Sequence, residues 1–478
     1  MSDLMDLWNT FLILLSVLLL LDWLFYLPIF SSLFASEDKE KFVKASQGRC
    51  VLISGPWLLA IFALGWGDGV VRWGACVFLW LLFRHYFISR RWSTVRRGSG
   101  APGFMSHWTL LWVTAIETAR LLDGSGWLVS QVLWAARIDF AVIMICAGTY
   151  KAFVGFLSGD GMDYGRVNPY WGYHWRFLRK ARPNDLLSRG ENFLASIVEI
   201  GGGILMLLPY DPARLIGAFL ITVSFIYVSL FIRLGRLAWL MALLPAIFLP
   251  GLLSSAMQSI PIIQLPAAGL TVAALPFWIF IAILPLIKIA QYLNLFWNKQ
   301  LPGSLQKICD KIANTIPVII WRVFTPDLTN FFVRVKGVRA QEVVPVATEE
   351  ATYNYTCWQD SWVKNRFLHV TESIALVSIF TTLKYFPSRP DLFNEKLLRY
   401  AASINASFTE PCERFDFEYI AIEKTPQSFH HRHVLTYIVD VVQNSVTRES
   451  IDPEFDPSKP ARRSPIRESL GSGTYLRK

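Results

Sequence analysis

The chain has 478 residues, of which 53% are hydrophobic, 14% aromatic and only 17% charged. Soluble domains carry about 25% charged residues, so this composition excludes an ordinary water-soluble globular protein and a disordered chain. The formal net charge of +10 suits basic loops facing anionic headgroups; no nucleic-acid motif accompanies it, and no nucleic-acid partner is expected.

The first apolar block, WNTFLILLSVLLLLDWLFYLPIF, lacks a basic leader and a small-residue cleavage site. It is too long for the core of a secretion signal and reads as a retained first span. A helix crossing the bilayer core needs about 20 apolar residues. Taking the first block as 9–33, others follow at 51–66, 70–88, 106–122, 128–157, 192–209, 213–233, 236–254 and 266–296. The expectation is an all-α polytopic membrane helix bundle of about nine spans. The last block holds Pro276 and Pro285, so it reads as one kinked helix or two short ones. Lysine and arginine gather after spans 1, 3, 5 and 7, in KEKFVKASQGR, RHYFISRRWSTVRRG, RFLRKARPNDLLSR and RLGR. The positive-inside rule then places these loops, and whatever follows a ninth span, in the cytoplasm.

After Trp297 the pattern changes. FFVRVKGV and FEYIAIEKT alternate like half-buried strands, and WVKNRFLHVTESIALVSIFTTLKYF and DLFNEKLLRYAASI read as amphipathic helices. The expected division is a bundle at 1–300, a small C-terminal α+β extramembrane domain at 301–450 and a flexible tail at 451–478, where Pro, Ser and charge dominate. Six cysteines lie without paired spacing and give neither a disulfide framework nor a metal signature. HHRH supplies His430, His431 and His433, which read as a solvated strand edge; no metal is predicted.

Several ionisable residues lie within or beside apolar blocks: Asp22, Arg72, Glu117, Arg137, Asp139, Lys151, Glu199 and Lys288. A charge at a membrane helix centre costs roughly 2.5–3.5 kcal/mol, so each demands a partner or water. Pairing between helices, Arg137 with Glu117 or Asp139 with Lys151, is one account. A functional account centres on two stretches. In GSGAPGFMSHW, His107 enters a helix beside Trp108. In CAGTYKAFVGFLSGDGMDYGRVNPYWGYHW, Lys151 follows a small-residue pair and precedes a run of rings. An amine held among rings loses hydration and gives up its proton more readily, which suits a general base. Tyr150, Tyr164, Trp171 and His174 could wall a flat apolar cofactor. Against this, aromatic residues gather at bilayer interfaces in any case, and lysine snorkels there. EIGGG, with Glu199 ahead of three glycines, reads as close helix packing.

CAGTYKAFVGFLSGDGMDYG, FMSHWTLLW and WRVFTPDLTNFFVRVKG together resemble the HTTM domain shared by vitamin K-dependent gamma-carboxylases and related bacterial membrane proteins. The resemblance covers most of residues 1–340. It implies a membrane enzyme in which Lys151 acts as base toward a reduced quinone and His107 stabilises developing charge. Tyr150-Lys151 stands where carboxylases carry paired lysines, and the extramembrane part is shorter than in the animal enzymes. The other reading is a non-enzymatic accessory or scaffold subunit of a larger membrane complex, its C-terminal domain docking a partner. A transporter is disfavoured because no repeat of broken helices stands out.

Overall fold

A computed structural model of the chain describes residues 7–26, 55–84, 102–154, 156–158, 161–183, 185–234, 236–257, 262–297, 299, 301–316, 318, 330–339, 342–347, 370–385, 390–405 and 411–458. Each apolar block of the sequence becomes helix: α1 (Leu7–Tyr26), α2 (Gly55–Trp66), α3 (Gly69–Arg84), α4 (Pro102–Leu122) and α5 (Trp127–Phe153). Two short helices, α6 (Gly161–Val167) and α7 (Trp175–Leu178), precede α8 (Leu186–Leu207) and α9 (Asp211–Phe231). Then come α10 (Arg236–Leu243), a 3-10 turn (Leu244–Phe248), α11 (Pro250–Met257), the long α12 (Ala267–Trp297) and the amphipathic α13 (Gly303–Thr315).

Four of these, α5, α8, α9 and α12, are long and apolar enough to cross a membrane, fewer than the nine spans expected. The reasons are local. At 1.5 Å per residue, α2 reaches only about 18 Å and α3 about 24 Å. In α4 the apolar run is diluted by Ser106, His107, Thr109, Glu117 and Arg120. The eighth block breaks before Pro250, where Leu237–Phe248 and Pro250–Met257 meet at 78°, and this pair is a fifth candidate if it counts as one span. The ninth block is one continuous helix through both Pro276 and Pro285.

Helix α8 lies between α5 and α9, and small residues bring the backbones together. A Cβ on Gly148 of α5 would sit 2.7 Å from the Ser196 carbonyl oxygen, and one on Gly203 would sit 2.9 Å from that of Ala141. On the other side, a Cβ on Gly217 of α9 would lie 2.6 Å from the Gly202 carbonyl oxygen. Gly201, in the same triplet, meets nothing within 4 Å. Two opposite outcomes are therefore expected within three residues. Gly201→Ala should raise stability by about 0.5–1 kcal/mol, the helix-interior preference for alanine. Gly203→Ala should lower it, by roughly 1–3 kcal/mol as overpacked contacts do. Thermal midpoints of the two variants in one detergent would check the pair.

Connections gather at two ends of the bundle. At one end the backbone N–H groups of Ile262 and Ile263 donate to the Leu121 carbonyl, both at 3.1 Å, and Trp8 N–H donates to Ser255 Oγ at 2.9 Å. At the other end Gly172 bridges to Ile232, Tyr173 N–H donates to the Phe231 carbonyl at 3.1 Å, and Arg233 N–H donates to that of Trp171 at 2.6 Å. The loop after α5 and the end of α9 thus share one end of the bundle.

That same end carries a five-stranded antiparallel sheet in the order β2-β1-β3-β4-β5, made of β1 (Phe331–Arg339), β2 (Glu342–Ala347), β3 (Arg414–Lys424), β4 (Phe429–Asp440) and β5 (Ser445–Ser450). The two alternating stretches become β1 and β3, and the two amphipathic ones contribute α14 (Val370–Tyr385) and α15 (Pro390–Asn405); residues 362–369 fall outside the described residues. Phe380 of α14 and Phe393 of α15 pack on one face with Phe331, Tyr419 and Tyr437, at centroid distances of 4.6–6.5 Å. β3 is buried along nearly its whole length, so its other face is covered too. Residues 451–458 do not leave the domain as tail: Ile451 and Asp452 donate backbone N–H groups to the Val434 carbonyl, and Phe455 packs 5.4 Å from Tyr419.

Glu418 is cross-strand partner to Arg334 and pairs with it and with Lys336, whose Nζ lies 2.5 Å from Oε1. Burial raises its pKa, but hydrogen bonds from Lys336 and Arg334 outweigh that and hold the carboxyl below its ordinary value. The folded domain therefore binds this proton less tightly than the unfolded chain does. Its contribution is complete above the ordinary carboxylate range near about 4.3 and is lost as pH falls below it. Acid titration of sheet stability should show this loss, and Glu418→Gln should flatten it.

Candidate functional site

Lys151 sits on the last turn of α5 and is buried. Helical side chains lean toward the N-terminus of their own helix, which carries the amine back toward Gly148, where α8 packs closely. There it meets Glu199 of α8 in a hydrogen-bonded ion pair, and Phe156 places its ring 5.6 Å from the amine. The carboxylate is as deeply buried as the amine, and its second oxygen, Oε2, has no hydrogen-bond partner among the described residues. A buried pair of this kind is held by mutual attraction against a large desolvation penalty.

Glu199 belongs to a polar stripe on α8. Asn192, Ser196, Glu199 and Gly203 recur at spacings of four, three and four, the period of one helix face. Asn192 accepts the Met162 N–H at 2.8 Å and donates to the Ser188 carbonyl at 2.9 Å. One position earlier Glu191 takes Arg166 of α6 and the Tyr227 hydroxyl of α9 on a single oxygen. None of Arg166, Glu191, Tyr227 and Asn192 was singled out in the sequence, although the stripe in SRGENFLASIVEIGGG could have revealed Asn192.

Interhelical satisfaction of charges holds in kind, with other partners than those expected. Glu117 accepts from the Trp8 indole at 2.6 Å and from Arg120 at 3.1 Å. Arg137 donates to the Ile247 carbonyl at 2.7 Å and lies over the Trp134 ring. Asp139 accepts from the Trp108 and Trp112 indoles at 2.8 and 3.2 Å and lies in the field of Lys288. The expected pairs, Arg137 with Glu117 and Asp139 with Lys151, do not form. Spacing along the chain does not reveal which helices touch.

His107 is fully buried with its ring stacked on Trp80 at 6.3 Å, and neither ring nitrogen has a hydrogen-bond partner among the described residues. It shares no hydrogen bond or ion pair with Lys151. The proposed base and its electrostatic partner are therefore not joined.

The aromatic stretch is a clasp between the bundle and the sheet. Asn168, fully buried, donates to the Phe331 carbonyl and accepts the Tyr170 N–H, both at 2.8 Å. The Tyr170 hydroxyl bonds the Val333 carbonyl and accepts the Val333 N–H, and its ring meets Phe332 edge-on at 6.0 Å. His431 stacks on Trp175 at 5.5 Å, meets Phe332, and bonds the Val167 carbonyl at 3.0 Å. Lys424 reaches Asp163 at 3.7 Å. By strand register Phe332, Ile420 and His431 share the sheet face turned away from α14 and α15. The three-histidine run is solvated only in part: β5 pairs with β4 from Leu435 onward, His430 before it is exposed, and His431 is part of the clasp.

The four residues expected to wall a cofactor have these surroundings. Tyr150 is buried beside Lys151, Tyr164 packs on Phe429 at 6.0 Å, Trp171 lies edge-on to Tyr170, and His174 is exposed at the start of α7. A cleft of about 390 Å³ lies elsewhere, between α1 and α2, lined by Ser16, Leu20, Leu59, Phe62 and Trp66. Among the described residues no group of three His, Cys, Asp or Glu could hold a metal ion. Compared with known proteins, the chain matches no protein family, no curated protein and no solved structure, so the carboxylase resemblance rests on the quoted stretches alone.

Proposed function

We propose that this chain is a multi-pass membrane protein that serves as a platform in a larger membrane assembly, holding its α+β domain at a fixed attitude for a partner subunit. The clasp carries this reading. Asn168, Tyr170 and Trp175 of the aromatic stretch, with His431 of β4, lock the sheet to the bundle. In the proposed topology all nine apolar helices cross the bilayer, the bent eighth included. The alternation of ends supports it: the loop after α5, the end of α9 and the sheet share one end, the end rich in arginine and lysine. By the positive-inside rule that end is cytoplasmic. Gentle solubilisation and native mass measurement test the platform. The expected result is a mass above that of the 54.5 kDa chain, with the partner lost when Asn168→Ala loosens the clasp. A lone chain at physiological lipid content would overturn the reading.

One observation favours a second reading, an enzyme of the kind the resemblance implies. The Lys151–Glu199 pair leaves a buried carboxylate oxygen unpartnered, and ionisable groups inside a bundle are costly enough to mark functional sites. Here Lys151 would be the acid–base group, acting with Glu199 rather than with His107. Oxidation of a reduced naphthoquinone by the purified protein, compared with Lys151→Met, decides it: a general base contributes about 10²–10⁴-fold. Equal turnover by the two proteins, or none by either, would remove this reading and leave the platform.

A further inference from the structure

The segment between α7 and the first turn of α8, FLRKARPNDLLSRG, does more than close the clasp. Lys180, Arg182 and Arg189 are exposed, and their side chains form no ion pair among the described residues; the one carboxylate among them, Asp185, is engaged as the α8 N-cap by the Ser188 N–H at 2.7 Å. Apolar side chains stand out beside them: Phe177 is 77% exposed and Leu186 89%. Farther along α8, Phe193, Leu194 and Ile197 are exposed too, and α8 is one of the helices able to cross a membrane. Apolar groups thus follow basic ones along one helix, the order in which a bilayer presents headgroups and then acyl chains.

The basic segment is also held in place. The Arg179 carbonyl accepts the Phe429 N–H at 2.8 Å, and its guanidinium lies 5.4 Å from the Trp175 ring, which is itself stacked on His431. Arg189 lies within electrostatic reach of Lys424, the cross-strand partner of Phe429 at the same β3–β4 turn. One end of the segment is therefore bonded to the hairpin through Arg179 and the other is capped into α8 by Asp185, so the backbone that carries the cations is ordered before any ligand arrives. Hydrated surface cations beside exposed phenylalanine and leucine match a headgroup phosphate with its attached acyl chains.

We propose that Lys180, Arg182 and Arg189, with Phe177 and Leu186, form a binding site for anionic phospholipid at the rim of the bundle. The cations hold the headgroup phosphate, and the apolar side chains hold the top of its acyl chains. The site draws on neither reading of the Lys151 region.

The experiment uses the full chain in nanodiscs of phosphatidylcholine containing a minor fraction of phosphatidylglycerol. Lipid retained after mild detergent extraction is then counted by native mass spectrometry. The expected result is phosphatidylglycerol retained well above its bulk fraction, falling about fivefold for each of Lys180→Gln, Arg182→Gln and Arg189→Gln, the effect of one surface charge near an anionic membrane. Phe177→Ser should lower retention at unchanged charge, and Lys180→Arg should keep it. Retention at the bulk fraction in the natural protein would overturn the proposal, as would full retention in the triple glutamine variant with an unchanged thermal midpoint. Displacement by millimolar inorganic phosphate alone would overturn the lipid assignment in favour of a free anion. Loss of the partner subunit, without change in lipid, in the same variants would assign the patch to protein binding and equally overturn it.

Discussion

Lys151→Met is expected to lower the stability of the bundle by about 3–5 kcal/mol, the range for removing one member of a buried ion pair. The loss arises from the survivor. Glu199 would be left deep between α5 and α8 with neither oxygen satisfied among the described residues, since Oε2 already lacks a partner there. Glu199→Leu alone should cost a similar amount by stranding the amine. The double variant Lys151→Met, Glu199→Leu should recover most of the loss, because two apolar side chains of similar volume remove both desolvation penalties. The coupling between the sites should therefore exceed the 0.5 kcal/mol within which independent changes add. Tryptophan fluorescence during thermal unfolding, with 19 indoles in the chain, can read all three proteins. A lysine that merely snorkels gives another pattern: each single change would be worth under about 1 kcal/mol, and the two would add. The double variant also separates the two functional readings. If it folds and still joins its assembly, the pair is a packing device; if it folds and loses a reaction, the pair is the acid–base centre.

The helices were legible because burial in lipid or in a bundle imposes long apolar runs, and each run in the sequence became helix. β1 and β3 were legible from alternation, and α14 and α15 from their amphipathic period. What the sequence withheld was pairing. Glu199 stands 48 positions from Lys151, and Trp8 lies 109 positions from the Glu117 it serves; no local pattern links them. The aromatic stretch misled for a related reason. Tyr170 and Trp175 carry the same chemistry whether they wall a ligand or hold a sheet, and only the neighbour across the gap decides. Asn168 attracted no notice because a polar residue in a glycine-rich loop reads as a turn former. Its real work, meeting the Phe331 carbonyl 163 positions away, is tertiary. The break in the eighth block was the nearest miss, for Pro250 stood in plain view after an apolar run.

The largest loss from a single methyl group is expected at Gly172. A Cβ there would lie 1.8 Å from the Arg166 carbonyl oxygen and 2.6 Å from the carbonyl carbon. Both are backbone atoms at the end of α6, so neither can swing aside as a flexible side chain would. Gly172 is also fixed by its own bonds: its N–H donates to the Asn168 carbonyl at 2.8 Å, and it bridges to Ile232. Relief of the clash would require α6 to separate from the turn that follows it. That movement would pull Arg166 from Glu191, Asn168 from Phe331, and Tyr173 from the end of α9. Gly172→Ala should therefore cost more than about 4 kcal/mol, a magnitude that point changes reach only through strain or the loss of a buried network. The consequence should be graded along the chain. Proteolysis would first release the α+β domain, whose hold on the bundle runs through Asn168 and Tyr170, while α12 and the rest of the bundle resist longer. Asn168→Ala gives the milder version: two buried groups lose their partner, at about 1–3 kcal/mol each, and no backbone is displaced. If limited proteolysis cuts Gly172→Ala and the natural protein at the same rate, the close approach of Gly172 to Arg166 is wrong, and with it the clasp as the joint between bundle and sheet.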